Sequence, residues 1–372
     1  MSAAPPSPRR TFGTLDGLRG IAALAVAFRH IPDNAIGLLT PESYLAVDLF
    51  FVLSGFVLAH AYEARLAGGL SVVDFFVARL IRLYPLYLIA SVLTLLLVFV
   101  PAAAGHYHPP AWPPRDIVFA LLFVPQIDPF HLDTPIFALA GSAWSLAFEL
   151  AANLVFAVIA TRLTPRLLGI VVTGGAAVLI AAAWHFGSID IGYNQLTVWG
   201  GAGRVGFGFF AGVATYRLWQ ADALPWLRLP AWVAIIAVLE IFNIAPTGHQ
   251  AASDVAMIML AMPALVLASA RSEPGRWLAS PFALFGAASY GIYVLQNPID
   301  QWFETVLPWR HVVDYGGLGS WGAVAIVGLT TAAAIVLDRW YDVPVRAALT
   351  ARWRRLTKGD AAGVPAKAVS GV

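Results

Sequence analysis

Long apolar stretches recur along the whole chain and limit what it can fold into. A helix needs roughly 20 apolar residues to cross a lipid bilayer. Windows near that length lie at 14–31, 44–62, 85–101, 142–160, 167–184, 197–216, 230–245, 253–270, 281–303 and 320–341. The apolar stretch 116–124 would be a helix of only about 14 Å, too short to cross unaided. The chain is therefore predicted to be an all-α polytopic membrane protein with about ten transmembrane helices.

The arginines predict how these helices are oriented. If the N-terminus is cytoplasmic and ten helices cross, the cytoplasmic loops and tail hold most arginines, and the outer loops hold little beyond Arg115 and Arg310. An excess of Lys and Arg on the cytoplasmic side is the usual pattern. We therefore expect a multi-pass protein of the cell membrane, surrounded by lipid bilayer, with both termini cytoplasmic.

One membrane domain is expected to span 14–346. The N-terminal tail at 1–13 is polar or small in composition and is predicted to be disordered, as is most of the basic cytoplasmic tail at 347–372. The segment 71–84 predicts a helix lying on the cytoplasmic surface, with Pro85 at the turn into the next span.

Composition excludes several kinds of site. The chain has no cysteine, which excludes disulfides, thiolate metal sites and a cysteine nucleophile. Only 12% of its residues are charged and its net charge is +2, whereas a soluble domain carries about a quarter charged residues. We expect no bound metal and no nucleic-acid partner.

Charged side chains inside the apolar windows are the strongest functional signal. A charge at the bilayer centre costs at least about 2.5–3.5 kcal/mol, so each marks a candidate site. The candidates are Asp16, Arg19, His30, Asp48, Glu149, Arg204 and Glu240.

Arg19 and His30 are eleven residues apart, so both side chains share one helix face, about 16 Å apart along the axis. A long anionic donor such as coenzyme A could place its phosphates near Arg19 and its thioester near His30. The alternative is that Asp16, three residues earlier, merely neutralises Arg19 and that His30 is interfacial.

Two further segments carry polar groups that could act with His30. AVDLFFVLSGFVLAHAY (46–62) contains Asp48 and the Ser54–Gly55 pair, which permits close helix approach. GSAWSLAFELAANLVF (141–156) places Glu149 one turn after Ser145. Either Asp48 or Glu149 could orient the imidazole of a general base, and the sequence does not choose between them.

Arg204 lies among six glycines within residues 200–212. Close helix packing accounts for the glycines, and an internal ion pair is the simplest role for the arginine. Contact with substrate is the alternative.

These segments, taken in order, resemble the acyltransferase 3 family of integral membrane O-acyltransferases. The matching motifs are LDGLRGIAAL with Arg19 and His30, VDLFFVLSGF, RLIRLYPLY, GSAWSLAFEL, ASYGIYVLQNPI and RWYDVPVR. The resemblance covers about 15–346, nearly the whole chain.

The resemblance implies transfer of an acyl group, usually acetyl, from cytoplasmic acyl-CoA to a hydroxyl of an envelope or exported acceptor, often a carbohydrate. It carries the family's essential histidine over to His30, its acidic residue to Glu149 and its arginines to Arg19, Arg79 and Arg82, for which we expect donor binding. From position alone, Asp48 is the other candidate carboxylate for catalysis. Also from position, the candidates for contact with the acceptor or the developing oxyanion are Trp144, Ser145, Ser54 and Arg204, with packing as the alternative for Trp144.

Two positions depart from the family pattern. Gln296 stands where many members have a histidine, and Asp342 stands where glutamate usually precedes the Xaa-Pro pair. Some relatives also carry an extracytoplasmic esterase-like domain. No such domain is evident here, so we expect transfer to finish in the membrane domain or to use a separate extracytoplasmic partner.

A transporter or flippase for a lipid-linked sugar is the rival interpretation, because proton-coupled carriers also use buried Arg, His and carboxylates. It predicts inverted repeats, which the sequence does not display. A non-catalytic sensor that keeps the pocket is a third interpretation. Nothing in the loops selects an acceptor or an acyl length.

Overall fold

The computed structural model describes residues 11–31, 34–97, 112–128, 130–244, 250–306 and 320–361. These residues are mostly helical, with an isolated β-bridge between Pro135 and Asn194. The main helices are α1 Gly13–His30, α2 Ala46–Ala67, α3 Val72–Leu96, α4 Pro114–Leu121, α5 Ala143–Ile159, α6 Pro165–Phe186, α7 Val198–Gln220, α8 Ala231–Asn243, α9 Gln250–Ser269, α10 Arg276–Val306, α11 Ser320–Leu337 and α12 Val343–Ala361. The predicted all-α class is confirmed.

Seven helices among the described residues are long and apolar enough to cross a membrane. They correspond to α2, α3, α5, α6, α9, α10 and the α11–α12 stretch. The other three expected spans also form helices. However, α1 is rich in charge, α7 is rich in glycine, and α8 has only 13 residues. The chain is thus a multi-pass helical protein, and ten crossings with cytoplasmic termini stay a prediction.

Two segments differ from expectation. Helix α3 runs without interruption through Pro85, although a surface helix ending there was expected. Residues 343–361 form α12, although most of the tail from 347 was expected to be disordered. The tail is rich in Ala, Leu and Arg, which favour helix, and the Trp353 Nε1 donates to Asp74 Oδ1 at 2.8 Å. Residues 1–10 and 362–372 of the two tails lie outside the described residues.

Close helix packing builds the core around α1, α2 and α7. The most extensive contacts join α1 to α10, α2 to α7 and α6 to α7. A Cβ added at Gly55 would lie 1.9 Å from the Phe209 carbonyl oxygen, and one added at Gly212 would lie 2.1 Å from the Val52 oxygen. Only glycine allows the α2 and α7 backbones to come this close, and this confirms the packing expected from the glycine pattern.

Candidate active site

Two cavities lie next to each other inside the bundle. The first, of about 150 Å³, contains Arg19, Arg79 and Arg82 and is called the arginine cavity. The second, of about 590 Å³, contains His30 and is called the histidine cavity. Val47 and Tyr293 border both. Helix α1 therefore supplies a polar side chain to each cavity, Arg19 to one and His30 to the other.

Each arginine of the arginine cavity already has a carboxylate partner. Arg79 Nη2 donates to Glu149 Oε1 at 3.1 Å, and Arg82 Nη1 donates to Asp342 Oδ2 at 3.4 Å. Arg19 is bonded to Asp16, as the alternative interpretation of this arginine expected. The cavity thus holds three guanidinium groups that are each paired with a carboxylate, and of these carboxylates only Glu149 also lines the cavity.

Several donors in the arginine cavity remain available. The Nε of Arg19 is buried and has no hydrogen-bond partner among the described residues. The Arg82 guanidinium lies over the Tyr290 ring, 5.2 Å from its centroid, a cation–π contact that holds the group without using its N–H donors. An anion that enters can therefore bind these groups or displace a carboxylate.

His30 is oriented by the backbone of its own helix. Its Nδ1 lies 2.8 Å from the Val26 carbonyl oxygen, one turn earlier. A carbonyl only accepts, so Nδ1 carries a hydrogen, and in the neutral ring Nε2 is the basic nitrogen. The side chain is accessible and lines the histidine cavity. This arrangement suits a general base or a nucleophile.

The two carboxylates proposed to orient His30 have other partners, and among the described residues no hydrogen bond joins either one to the imidazole. Asp48 is buried in an ion pair, with Arg204 Nη2 to Oδ2 at 2.6 Å and Nε to Oδ1 at 3.1 Å. Glu149 Oε1 accepts from Ser54 Oγ at 2.7 Å as well as from Arg79. The Val26 carbonyl takes the place that either carboxylate was expected to fill.

Arg204 anchors the wall of the histidine cavity. Its side chain is 1% exposed, and it also donates to the carbonyl oxygens of Ile191 at 2.8 Å and Tyr44 at 3.1 Å. Its guanidinium lies over the Trp144 ring, 5.3 Å from the centroid. The ion pair expected for this arginine is thus present, and it holds α2, α7 and Trp144 together.

Ser145 and Tyr293 form a hydrogen-bonded pair at the wall between the cavities. Ser145 Oγ lies 2.7 Å from the Tyr293 hydroxyl and 3.1 Å from the Ser142 carbonyl oxygen. Because the carbonyl can only accept, Ser145 donates to it and Tyr293 donates to Ser145. The proton of each hydroxyl is used, as is that of Ser54, and none of the three is free to stabilise an oxyanion.

Other residues of the two cavities were not singled out from the sequence. Tyr290 and Tyr293 are three apart in ASYGIYVLQNPI, a spacing that puts both on one helix face, and this was the available signal. Asn153 lines neither cavity, but with its amide turned to suit its neighbours its side-chain oxygen accepts from Arg79 Nε at 3.1 Å. Asp190 lies in a loop and has no sequence signal, yet it binds Arg29 at 3.0 Å.

Two loops close one side of the histidine cavity. The residues before α5 pair with those before α7, through Ile136 N to the Tyr193 oxygen at 3.0 Å and Gln195 N to the Thr134 oxygen at 3.1 Å. In the first loop, the Phe130 N–H and the His131 ring hold the pKa of Asp128 below its usual range.

Among the described residues, no group of three His, Cys, Asp or Glu side chains is placed to hold a metal ion.

Three of the relatives found among known proteins match this chain to different extents. The chain is 41% identical over 191 residues to protein 2 in the picA locus of Rhizobium radiobacter, covering 48% of this chain and 98% of that one. It is 23% identical over 370 residues to the peptidoglycan O-acetyltransferase OatA of Listeria monocytogenes, covering 91% of this chain and 56% of that one. It is 32% identical over 173 residues to the O-acetyltransferase OatA of Staphylococcus aureus, covering 43% of this chain and 26% of that one.

The chain therefore spans only part of the two O-acetyltransferases. No solved structure matches it. The family model described as an acyltransferase domain matches residues 12–339, which include every polar residue of the two cavities. The chain belongs to the acyltransferase 3 family, whose members are enzymes that transfer acyl groups.

Proposed function

We propose that this protein is a membrane O-acetyltransferase that moves an acetyl group from cytoplasmic acetyl-CoA to a hydroxyl of an envelope carbohydrate. The observation that carries the proposal is the pair of adjacent cavities. One holds three arginines, the other holds a histidine with a defined tautomer, and Val47 and Tyr293 border both.

The arginine cavity is the donor side. Its 150 Å³ is below the roughly 300–1,000 Å³ of a site that encloses a drug-sized ligand. The acyl-bearing arm of the donor enters it, and the diphosphate stays at the mouth. Arg79 and Arg82 bind phosphate oxygens by charge-assisted hydrogen bonds, for which guanidinium is well suited. Arg19 guides the arm.

His30 carries the chemistry. Its Nε2 takes the proton of the acceptor hydroxyl while the hydroxyl oxygen attacks the carbonyl carbon of the thioester. The C–O bond forms, the C–S bond breaks, and the thiolate of coenzyme A takes the proton from the imidazolium. An ester and free coenzyme A are released, and the histidine is neutral again. A two-step route through an acyl-histidine uses the same atoms.

The carboxylates support the cavities rather than the ring. Glu149 holds Arg79 and Ser54, and Asp48 balances the buried charge of Arg204. The names of the Listeria and Staphylococcus relatives support acetyl as the group transferred, and the Listeria name supports a carbohydrate polymer as acceptor. The protein acts in the cell membrane with its arginine cavity open to the cytoplasm.

The test compares ester-linked acyl groups on envelope glycans and exported molecules in four strains. These are wild type, a deletion, and the deletion carrying either His30→Ala or His185→Ala, with protein levels matched and products read by mass spectrometry. His185 is a matched control because it borders neither cavity. We expect one acetyl ester to be lost in the deletion and in His30→Ala, and kept in His185→Ala.

Two outcomes contradict the proposal. An unchanged ester in the His30→Ala strain removes the catalytic role of the histidine. If acylation is unchanged in the deletion strain while a glycan precursor accumulates on one side of the membrane, the transporter interpretation is favoured.

A further inference from the structure

Gln296 is a buried amide without partners. It lies in α10 and is 4% exposed, and neither its Nε2 nor its Oε1 has a hydrogen-bond partner among the described residues. A buried polar group without a partner is destabilising, and such groups are rare in folded proteins. Here both ends of one amide are left open, which points to a group that binds there during function.

The residue that carries this amide lines the histidine cavity. Gln296 and His30 belong to one lining of about 590 Å³, a volume in the range of small-molecule sites. Two neighbours in this cavity are already engaged with protein groups, since Arg204 binds Asp48 and Arg29 binds Asp190. Gln296 is thus a polar side chain of the cavity whose hydrogen bonds remain to be made.

The chemistry of the amide selects its ligand. Its oxygen accepts and its nitrogen donates, so a ligand that satisfies both must donate and accept at adjacent positions. The donor's thioester carbonyl and its phosphates only accept. The amides of its pantetheine arm both donate and accept, but the proposed function places that arm in the arginine cavity, which Gln296 does not line. A hydroxyl of the acceptor also does both. Two neighbouring hydroxyls on a sugar ring fit one amide well, with one donating to Oε1 and the other accepting from Nε2.

We infer that Gln296 is a specificity-determining residue that binds the acceptor, and that the acceptor presents neighbouring hydroxyls on a carbohydrate ring in the histidine cavity. The inference rests on the proposed function and adds the side chain that recognises the acceptor. Gln296 holds the ring while His30 takes the proton from the hydroxyl that reacts.

The experiment measures acetyl transfer by purified protein in detergent. The donor is radiolabelled acetyl-CoA, and the acceptor is polysaccharide released from envelopes of the deletion strain. Gln296→Met removes both hydrogen bonds at similar volume. Gln296→Glu keeps an oxygen that accepts a hydrogen bond but loses the N–H groups that donate one. The matched control is Gln220→Met, because Gln220 is exposed at the end of α7 and borders neither cavity.

We expect Gln296→Met to raise the KM for the polysaccharide about 10-fold or more, as for loss of two hydrogen bonds. The KM of Gln296→Glu for the polysaccharide should lie between those of Gln296→Met and wild type. The KM for acetyl-CoA, and the slow release of coenzyme A without polysaccharide, should match wild type in both. A fault of folding would change these donor readouts too.

An unchanged KM for the polysaccharide in Gln296→Met, with wild type active, overturns this inference alone. A raised KM for acetyl-CoA with an unchanged KM for the polysaccharide also overturns it, because the amide would then serve the donor. If wild type transfers no acetyl group to the polysaccharide, the carbohydrate acceptor of the proposed function fails and this inference fails with it.

Discussion

The hydroxyl of Tyr293 lies 2.7 Å from Ser145 Oγ, at the wall that separates the arginine cavity from the histidine cavity. Tyr293 is 6% exposed, and its ring packs edge-on against Phe50 at 5.6 Å between centroids. The ring therefore fills the boundary that the acyl group passes in the proposed mechanism. Its hydrogen bond to Ser145 fixes where it stands.

Tyr293→Ala should let water reach the donor thioester, because removal of a buried ring leaves a cavity that joins the two existing ones. We expect the ratio of acetyl-CoA hydrolysis to acetyl transfer to rise several-fold. Tyr293→Phe keeps the ring and should stay near the wild-type ratio. Release of coenzyme A with and without acceptor measures both. Equal ratios in Tyr293→Ala and wild type would show that this ring does not separate the cavities.

Arg79 and Arg82 should matter for the phosphates of the donor and not for its acyl arm. Arg79→Gln and Arg82→Gln should each raise the KM for acetyl-CoA about 10- to 100-fold, as for loss of a charge-assisted hydrogen bond. With S-acetyl-pantetheine, which lacks the diphosphate and the nucleotide, the same variants should match wild type. Arg228→Gln is the control, since Arg228 borders neither cavity. If the KM rises equally for acetyl-CoA and for S-acetyl-pantetheine, these arginines stabilise the bundle rather than bind the phosphates.

Sequence spacing was enough to place Arg19 and His30 on one face of one helix. In the structure, Arg19 lines the arginine cavity and His30 lines the adjacent histidine cavity. Spacing within a helix is fixed by the backbone, so it can be read without a structure. The class of the fold follows from the apolar windows for a similar reason, because only helices satisfy their own backbone groups inside lipid.

Contacts between helices could not be read in this way. Which carboxylate meets which arginine depends on how far each helix is rotated and shifted, so Asp48 and Glu149 looked equivalent, yet one binds Arg204 and the other Arg79. Tyr293 was missed because an aromatic residue in an apolar span predicts only packing. The helix at 343–361 was missed because its charges resemble those of a disordered tail, and its contact with Asp74 is long-range.

The Asp48–Arg204 pair should be structural. Asp48→Asn leaves a buried guanidinium without its counter-ion, which typically costs about 3–5 kcal/mol of unfolding free energy. Glu63→Gln is the matched control, because the Glu63–Arg217 pair joins the same two helices while about a fifth of each side chain is exposed, and it should cost about 1 kcal/mol or less. Thermal unfolding in detergent compares the two. If Asp48→Asn is instead stable but inactive, the Asp48 carboxylate takes part in catalysis.

Gly55→Ala tests the close approach of α2 and α7. The added methyl group would lie 1.9 Å from the Phe209 carbonyl oxygen, so the two helices must move apart, and we expect a loss of about 1–3 kcal/mol. Because α2 carries Asp48 and Ser54 and α7 carries Arg204, both cavities should be disturbed and transfer should fall with stability. Gly174→Ala is the control, since a Cβ there meets nothing within 4 Å and alanine favours helix over glycine by about 1 kcal/mol. Equal thermal unfolding of the two variants would show that the bundle absorbs the methyl group at Gly55 without separation of α2 from α7.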